Sequence, residues 1–372
     1  MEIHLDNSGT PQALGALIAK VSALPDVGLV VVLACDQNGF QAEDVDPVLR
    51  DCQKPLIGGI FPQLMFGLQH LERGSIVAGL KCRAAVTVVT NLSNCPANID
   101  TALDASDLTL NGQGSTLLIF VDGLSRSIGS LIDSVFNRFG LMVNYLGGGA
   151  GSLSLNQSPC ILSNTGMVMD AAVLAMTDVV SGIGVAHGWQ SVQGPFKVTE
   201  SDRNTIISLD WEPAFDVYRE VVESHSKRKF EKGNFFDLAK AYPFGIARLD
   251  SEMVVRDPLI LEGSHLICVG EVPTGSYVHV MHGNAKMLLD AAGQALQLST
   301  QAYTGQPGRE SLFFIDCISR VLFLGPDFPK EMVAVNTGQP LIGALTLGEI
   351  ANNGSDFLEF FNKTAVVGLI DA

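Results

Sequence analysis

The chain has 372 residues, of which 47% are hydrophobic and 17% charged, and its formal net charge is −16 at pH 7. This length allows two domains, and the apolar composition argues against disorder. The acidic balance argues against a nucleic acid or an anionic membrane as partner. No run reaches the roughly 20 apolar residues of a membrane span, and the acidic, polar N-terminus is unlike a signal peptide. We therefore expect a cytoplasmic protein.

The first predicted elements are a helix and then a unit of strand, helix, strand and strand. Residues 11–24 place Leu14, Ile18 and Val21 on one face, as in a helix that packs on a core. The predicted strands of the unit are LVVVLAC (29–35), PLIGGIFPQL (55–64) and SIVAGL (75–80). A helix-length segment separates the first two strands, and glycine lies at the centre of the second.

The same order of elements recurs twice further along the chain. The second copy contains TLLIFVD (116–122), NYLGGGAGSL (144–153) and AAVLAM (171–176). The third copy contains SLFFIDC (311–317), PLIGALTLGE (340–349) and TAVVGL (364–369). Such self-similarity indicates that one supersecondary unit was duplicated. It predicts a pseudo-symmetric α/β (α+β) fold, in which helices cover the sheets.

The segment 125–139 is the clearest predicted helix, because its apolar residues form a wide stripe that ends at Gly140. A strand, a helix and a strand in this order form a crossover, so the first two strands of each copy should be parallel. The third strand follows a polar loop of variable length, which allows an antiparallel pairing. We therefore expect mixed sheets.

A polar stretch, HSKRKFEKGN, separates two apolar blocks and has the highest local charge density in the chain. Before it, apolar and polar residues alternate over 178–209, as in long strands, and residues 212–225 form a predicted helix. We place the domain boundary in the polar stretch. The predicted parts are a first domain at 1–225, a linker at 226–234 and a second domain at 235–372.

Enzyme signatures are missing from the sequence. It contains no GxSxG and no HExxH, and no evident nucleophile lies beside a base, so we do not expect an enzyme. The seven cysteines are odd in number and form no CxxC, which argues against zinc ribbons and covalent haem attachment. We interpret them as buried, reduced thiols.

The motif LGGGAGS (146–152) lacks the GK[ST] ending of a phosphate loop. Glycines at the end of a buried strand more often permit a close approach of two backbones. Alternatively, Gly147, Gly148 and Gly149 present N–H groups to a ligand at the strand end, where α/β folds bind ligands. Glu349, which also ends a repeat strand, would then bind a cationic group, or else it is a capping or solvent-facing carboxylate.

Three histidines are candidate ligand-binding residues. His187 lies between an apolar strand and Gly188, beside Trp189. His187 can present a ring nitrogen to a flat ligand, with Trp189 as a further candidate contact, although a structural histidine bonded to backbone is at least an equal alternative. His279 and His282 should face opposite sides of a regular strand, so we do not expect them to bind one metal together.

At VAHGWQSVQGPFKVTESDRNTIISLDWEPAFDVY (185–218) the chain resembles the FIST family, bacterial sensory proteins built from adjoining FIST N and FIST C domains. Further similar segments follow the family's order along nearly the whole chain. They are SIVAGL (75–80), LGGGAGS (146–152), YPFGIARLDSEMVVRDPLIL (242–261), VGEVPTGSYVHVM (269–281), LTLGEIANN (345–353) and FNKTAVVGLI (361–370). In the last segment, family members often read His-Asn-Gln-Thr where this chain has Phe361-Asn362-Lys363-Thr364. That change suits a more apolar pocket, and a local packing change explains it equally well.

The resemblance implies a small-ligand sensor in signal transduction. A subset, the NosP-type proteins, carries haem that responds to nitric oxide and acts on a histidine kinase or a cyclic-di-GMP enzyme. Our first hypothesis is therefore a haem-binding nitric-oxide sensor, with His187 as the first candidate for the axial ligand and His282 and His279 as the next.

The alternative hypothesis is a haem-free sensor of a free amino acid or a similar metabolite. The N–H groups of the glycine-rich strand ends would hold its carboxylate, and Glu349 would bind its amine. An enzyme is the third and least favoured hypothesis. The sequence leaves the oligomeric state open, with a homodimer as one alternative.

Overall fold

The computed structural model describes residues 1–93, 97–109, 115–248, 253–352 and 357–371. The strands in these ranges form three six-stranded sheets and one eight-stranded sheet. Each six-stranded sheet combines one parallel pair with antiparallel pairs, which confirms the predicted α/β (α+β) class with mixed sheets. Within the described ranges, no helix is both long and apolar enough to cross a membrane.

The first copy of the repeat begins at the N-terminus. Its elements are β1 (Glu2–Asp6), α1 (Pro11–Ser22), β2 (Leu29–Cys35), α2 (Ala42–Asp51), β3 (Leu56–Phe61), β4 (Gln63–Phe66), β5 (Gln69–Leu71) and β6 (Ser75–Leu80). Strands β2 and β3 are parallel neighbours joined by α2, β6 lies antiparallel beside β2, and β1 extends the sheet beyond β6. The predicted apolar face of α1, with Leu14, Ile18 and Val21, is buried.

The second copy has the same plan. Its elements are β7 (Ala84–Thr90), α3 (Ala97–Asp104), β8 (Thr116–Asp122), α4 (Ile128–Phe139), β9 (Asn144–Ala150), β10 (Ile161–Ser163), β11 (Gly166–Val168) and β12 (Ala171–Thr177). Strands β8 and β9 are parallel, β12 is antiparallel to β8, and β7 lies beyond β12. Helix α4 confirms the predicted helix, and it buries Leu131, Ile132 and Val135.

The third copy opens with β13 (Ser181–Ala186) and is then interrupted by an insertion. The insertion contains β14 (Gln190–Asp202), β15 (Thr205–Leu209), β16 (Glu212–Pro213), α5 (Ala214–Ser226), α6 (Phe235–Ala239), β17 (Phe244–Ile246), β18 (Val254–Arg256), β19 (Pro258–Glu262), β20 (His265–Cys268) and β21 (Tyr277–His282). Its strands form the eight-stranded sheet, and residues of α5 and α6 belong to its buried core.

After the insertion, the third copy resumes. Its remaining elements are α7 (Ala285–Ala302), β22 (Glu310–Cys317), α8 (Ile318–Leu324), α9 (Phe328–Ala334), β23 (Leu341–Thr346), β24 (Glu349–Ala351), β25 (Glu359–Phe361) and β26 (Ala365–Asp371). Strands β22 and β23 are parallel, β26 is antiparallel to β22, and β13 lies beyond β26. Each copy therefore builds the same four-strand core of a sheet.

The predicted linker at 226–234 connects α5 to α6. Strands from either side of it share sheets, because β13 pairs with β26 and β14 pairs with β21. The division of the chain at this linker stays a prediction.

The last two strands of each six-stranded sheet come from a different copy. Hairpin β4–β5 of the first copy pairs with β23 of the third copy, and hairpin β10–β11 of the second copy pairs with β3 of the first. Hairpin β24–β25 of the third copy pairs with β9 of the second. The exchange is cyclic, so the three copies interlock with pseudo-threefold symmetry.

Steric constraints explain the glycine at the centre of the second strand of each copy. A Cβ atom on Gly58 would lie 2.1 Å from the carbonyl oxygen of Val32, and a Cβ atom on Gly343 would lie 1.9 Å from that of Phe314. For Gly147 the corresponding distance to the carbonyl oxygen of Ile119 is 1.7 Å. Any larger residue would push the two parallel strands apart, which explains why glycine recurs in all three copies.

We expect Gly147→Ala to destabilise the protein by about 1–3 kcal/mol or more, because the added methyl group overpacks a backbone that cannot yield. The matched control is Gly293→Ala on α7, where the nearest atom to an added Cβ lies 4.0 Å away. That change should stabilise the protein by up to about 1 kcal/mol, since alanine favours helix. Urea unfolding of the two variants measures both effects, and equal stability of the two would contradict the steric explanation.

Candidate functional site

The carboxyl ends of the parallel strand pairs are the places where α/β sheets usually bind ligands. The three copies differ at this edge. In the first copy, the end of β2 and β3 opens into a cavity of about 250 Å³. In the third copy, the equivalent edge is filled by buried charged side chains.

The cavity, called the edge cavity below, lies between two copies of the repeat. One wall is the turn from Asp36 to Glu43, which joins β2 to α2. The opposite wall comes from the second copy and consists of Gly151, residues 158–160 just before β10, and Met167 of β11. Ile60 of β3 also lines the cavity. The cavity exists because the exchanged hairpin brings the second copy onto the sheet of the first.

The edge cavity is lined by two carboxylate side chains, Asp36 and Glu43, and by the start of α2. The carboxylate of Asp36 accepts a hydrogen bond from the Ser152 hydroxyl at 2.6 Å through one of its oxygens, and carboxylates bind ammonium groups well. Helix α2 begins at the cavity, and the side chain of Gln41 donates to the carbonyl of Gly39 and does not cap the helix. The first N–H groups of a helix carry partial positive charge and favour carboxylates.

The sequence motif LGGGAGS reaches the edge cavity only at its end. Gly147, Gly148 and Gly149 lie inside β9, where they pair with β8. The N–H of Gly149 donates to the carbonyl of Gly348 at 2.7 Å. Gly151, by contrast, lines the cavity. The three predicted glycines thus have structural contacts, and their role in ligand binding stays a prediction.

Sequence reasoning missed Asp36 and the start of α2 as site residues. A signal was present, because Asp36 follows the first predicted strand directly and so lies at the carboxyl end of a parallel pair. The signal was not specific, since a polar residue follows most strands.

In the third copy, the guanidinium of Arg320 is fully buried at the carboxyl end of β22. Its Nε atom lies 3.1 Å from Asp316 and 3.0 Å from Glu331. Its Nη atoms donate to the carbonyls of His187 at 2.8 Å and Leu288 at 2.9 Å. A buried guanidinium without partners costs much free energy. Arg320 therefore fixes the relative positions of the segments that carry Asp316, Glu331, His187 and Leu288.

Glu349 is completely buried beside this charge cluster. Its carboxyl oxygens are hydrogen-bonded by the Thr346 hydroxyl at 3.0 Å and the Thr364 N–H at 3.2 Å. Burial raises the pKa of Glu349 from 4.5 to about 8, since the charged form is poorly solvated there. The strand register places Glu349 opposite Gly148, so two of the predicted site residues do lie together. The role of Glu349 as an amine-binding residue stays a prediction.

The raised pKa of Glu349 predicts a pH dependence of stability. The folded state keeps a proton that the unfolded chain loses, so the free energy of unfolding should fall as pH rises from 4.5 to about 8. The slope is up to about 1.4 kcal/mol per pH unit. We expect Glu349→Gln, which mimics the protonated form, to flatten this slope in urea unfolding at pH 5.5 and 7.5. The exposed control Glu212→Gln should keep the slope of the unmodified protein, and an unchanged slope in Glu349→Gln would refute the assignment.

His187 is 6% exposed and is held by its neighbours. Its Nδ1 atom accepts a hydrogen bond from the N–H of Trp189 at 2.9 Å. Burial, together with the charge of Arg320, lowers the pKa of His187 to about 4, so the ring is neutral at pH 7. Because Nδ1 accepts, the proton of the neutral ring lies on Nε2.

Trp189 contacts the segment that departs from the family pattern. Its indole Nε1–H donates to the carbonyl of Lys363 at 3.1 Å, and the Lys363 ammonium lies 5.1 Å from the indole ring centre. The same ammonium pairs with Asp257 at 3.0 Å and donates to the carbonyl of Lys240 at 3.0 Å. Lys363 therefore joins the third copy of the repeat to the insertion.

The other two predicted histidines lie on β21 and contact different groups. The Nδ1 atom of His279 is 2.8 Å from the Ser191 hydroxyl. The Nδ1 atom of His282 is 3.1 Å from the carbonyl of Ala241. Within the described part of the chain, no group of three or more His, Cys, Asp or Glu side chains is placed to hold a metal ion.

The FIST N domain model matches residues 28–212, and the FIST C domain model matches residues 214–352. The chain belongs to the FIST family. The resemblance seen in the sequence is thereby confirmed, and FIST domains are small-ligand sensing domains of signal transduction. The two models meet just before α5, whereas the predicted linker follows that helix. A search of curated proteins found no match.

Proposed function

We propose that this FIST protein senses a free amino acid or a similar small zwitterion, which binds in the edge cavity. The observation that carries the proposal is the pairing of the Asp36 carboxylate with the uncapped start of α2 across one small cavity. An ammonium group suits the carboxylate, and a carboxylate suits the helix N–H groups. The cavity volume of about 250 Å³ is below the range of about 300–1,000 Å³ that drug-sized ligands occupy.

The position of the cavity suggests how a ligand acts. The hydrogen bond between Asp36 and Ser152 already links the first copy to the second. A ligand that touches both walls binds best when they are close, so it shifts the population toward that state. Within this role, the family resemblance makes a histidine kinase or a cyclic-di-GMP enzyme the partner that we propose, with the signal passed by contact.

We expect a calorimetric screen of the common amino acids to find a ligand, and Asp36→Asn to lower its affinity by roughly tenfold or more. The reason is that a hydrogen bond to a charged group contributes about 1.5–3 kcal/mol. Asp44→Asn is the matched control, because Asp44 is an exposed residue of the same helix that does not line the cavity. Equal losses of affinity in both variants, or a ligand whose affinity is unchanged in Asp36→Asn, would exclude this site.

Haem with nitric oxide as signal is the competing proposal, and the residues around His187 do not fit it. An axial ligand needs a ring nitrogen with an available lone pair. In His187 the lone pair of Nδ1 points at the Trp189 N–H, and the ring is almost completely buried beside Arg320. Neither the edge cavity nor a second cavity of about 350 Å³, at Pro55 and Val86, is lined by any of the three predicted histidines.

The haem proposal has a direct test. Protein purified from cells supplied with a haem precursor should show no Soret band, and it should take up no haem in vitro. A Soret band that shifts on adding nitric oxide would instead establish a haem sensor. In that case His187→Ala and His282→Ala would show by their spectra which histidine binds the iron.

A further inference from the structure

Three rings meet where the end of α5 approaches the end of β21. They are His225 in the last turn of α5, His282 at the end of β21, and Tyr242 in the segment before β17. The ring of His282 stacks on Tyr242, with centres 4.7 Å apart. The centres of His225 and His282, called the imidazole pair below, are 5.0 Å apart. None of these residues lines the edge cavity.

The hydrogen bond of His282 determines where the proton of its neutral ring lies. The Ala241 carbonyl can only accept, so the Nδ1 atom of His282 carries the proton and donates it over 3.1 Å. Its Nε2 atom therefore holds a lone pair. The Nδ1 atom of His225 lies 2.8 Å from the Tyr242 hydroxyl oxygen, which can accept in the same way. Histidines that bind metals usually donate their other N–H to an oxygen acceptor in this manner.

The separation of the two rings suits a shared metal ion. A metal–nitrogen bond of about 2.0–2.1 Å, with roughly 1.1 Å more to the ring centre, puts each ring centre about 3.2 Å from the ion. Two such rings at a tetrahedral angle then have centres about 5 Å apart. The observed 5.0 Å between His225 and His282 matches this separation. His225 is exposed and His282 half-buried, so an ion in solution can reach them.

We infer that the imidazole pair binds one divalent transition-metal ion, such as Zn²⁺ or Co²⁺, through two Nε2 atoms. Imidazole nitrogens favour these ions, whereas Ca²⁺ and Mg²⁺ require oxygen ligands. The adjacent basic run Lys227–Lys229 also disfavours ions that are held by charge alone, and it favours an anion or water in the remaining coordination positions. The ion joins α5 to β21 within the insertion, so this site is independent of the amino acid site.

The test uses the full chain after treatment with a chelator, titrated with CoCl₂ and ZnCl₂ in a calorimeter. We expect one ion per chain, with absorption bands typical of nitrogen-bound Co²⁺. His225→Ala and His282→Ala should each weaken binding by at least tenfold, and the exposed control His265→Ala should leave it unchanged. Because His225 is exposed, its variant should fold normally. No binding by the unmodified chain, or binding that survives loss of His225, would overturn the inference.

Tyr242 acts in this proposal as a positioning residue: when the Nε2 atom of His225 binds the ion, its Nδ1 atom carries the proton, which the Tyr242 hydroxyl oxygen accepts. Tyr242→Phe should weaken metal binding by about 10–100-fold, the usual effect of removing such a partner. The Co²⁺ bands should remain at saturating metal, because both nitrogens are still present. Loss of the Co²⁺ bands at saturating metal would contradict this role, and so would a metal affinity equal to that of the unmodified chain.

Discussion

Each six-stranded sheet of this protein is completed by a hairpin from another copy of the repeat, and this exchange controls the rest of the structure. A single copy can form four strands of its sheet, but its second strand would then be an unpaired edge. The hairpin of a neighbouring copy supplies the missing hydrogen bonds, in the cyclic order given by the pairs of β4 with β23, β10 with β3 and β24 with β9. Each copy is therefore paired through its strands with both of the others. The same exchange creates the edge cavity, because the chain that leads to β10 passes over the carboxyl ends of β2 and β3.

The three copies share a backbone plan and differ in what occupies the carboxyl edge of the sheet. The first copy leaves space there, beside Asp36. The third copy fills the edge with Arg320 and its carboxylate partners Asp316 and Glu331, which are all buried. Buried charges of this kind contribute little net stability, but they tolerate few alternative arrangements. We interpret the third copy as the structural anchor of the fold and the first copy as the part that is free to bind a ligand.

The insertion is attached to this anchor by a small number of buried polar contacts. Lys363 reaches from the start of β26 to Asp257 and to the carbonyl of Lys240, and Arg256 donates to the carbonyl of Phe360 at 2.9 Å. The imidazole pair lies on the same insertion, and His282 is hydrogen-bonded to the carbonyl of Ala241, the residue after Lys240. A structural change at the imidazole pair can thus reach the third copy through these few contacts. The proposed amino acid site lies between the first and second copies, so the two proposed sites involve different parts of one interlocked structure.

The sequence by itself determined the central strands of each copy, the helices α1, α4 and α5, the threefold repeat and the family. These features follow from local periodicity and from steric rules, such as the central glycine at Gly58, Gly147 and Gly343. It also indicated that the carboxyl ends of the strands matter, but it pointed to Gly147–Gly149 and Glu349, whose polar groups are hydrogen-bonded within the protein.

Only the tertiary structure decided which copy supplies each hairpin, and hence where a cavity opens beside Asp36. It alone brought His225 and His282 together, because their 57-residue separation carries no periodic signal. Contacts of that kind depend on how sheets pair across the whole chain, which no local pattern of residues encodes.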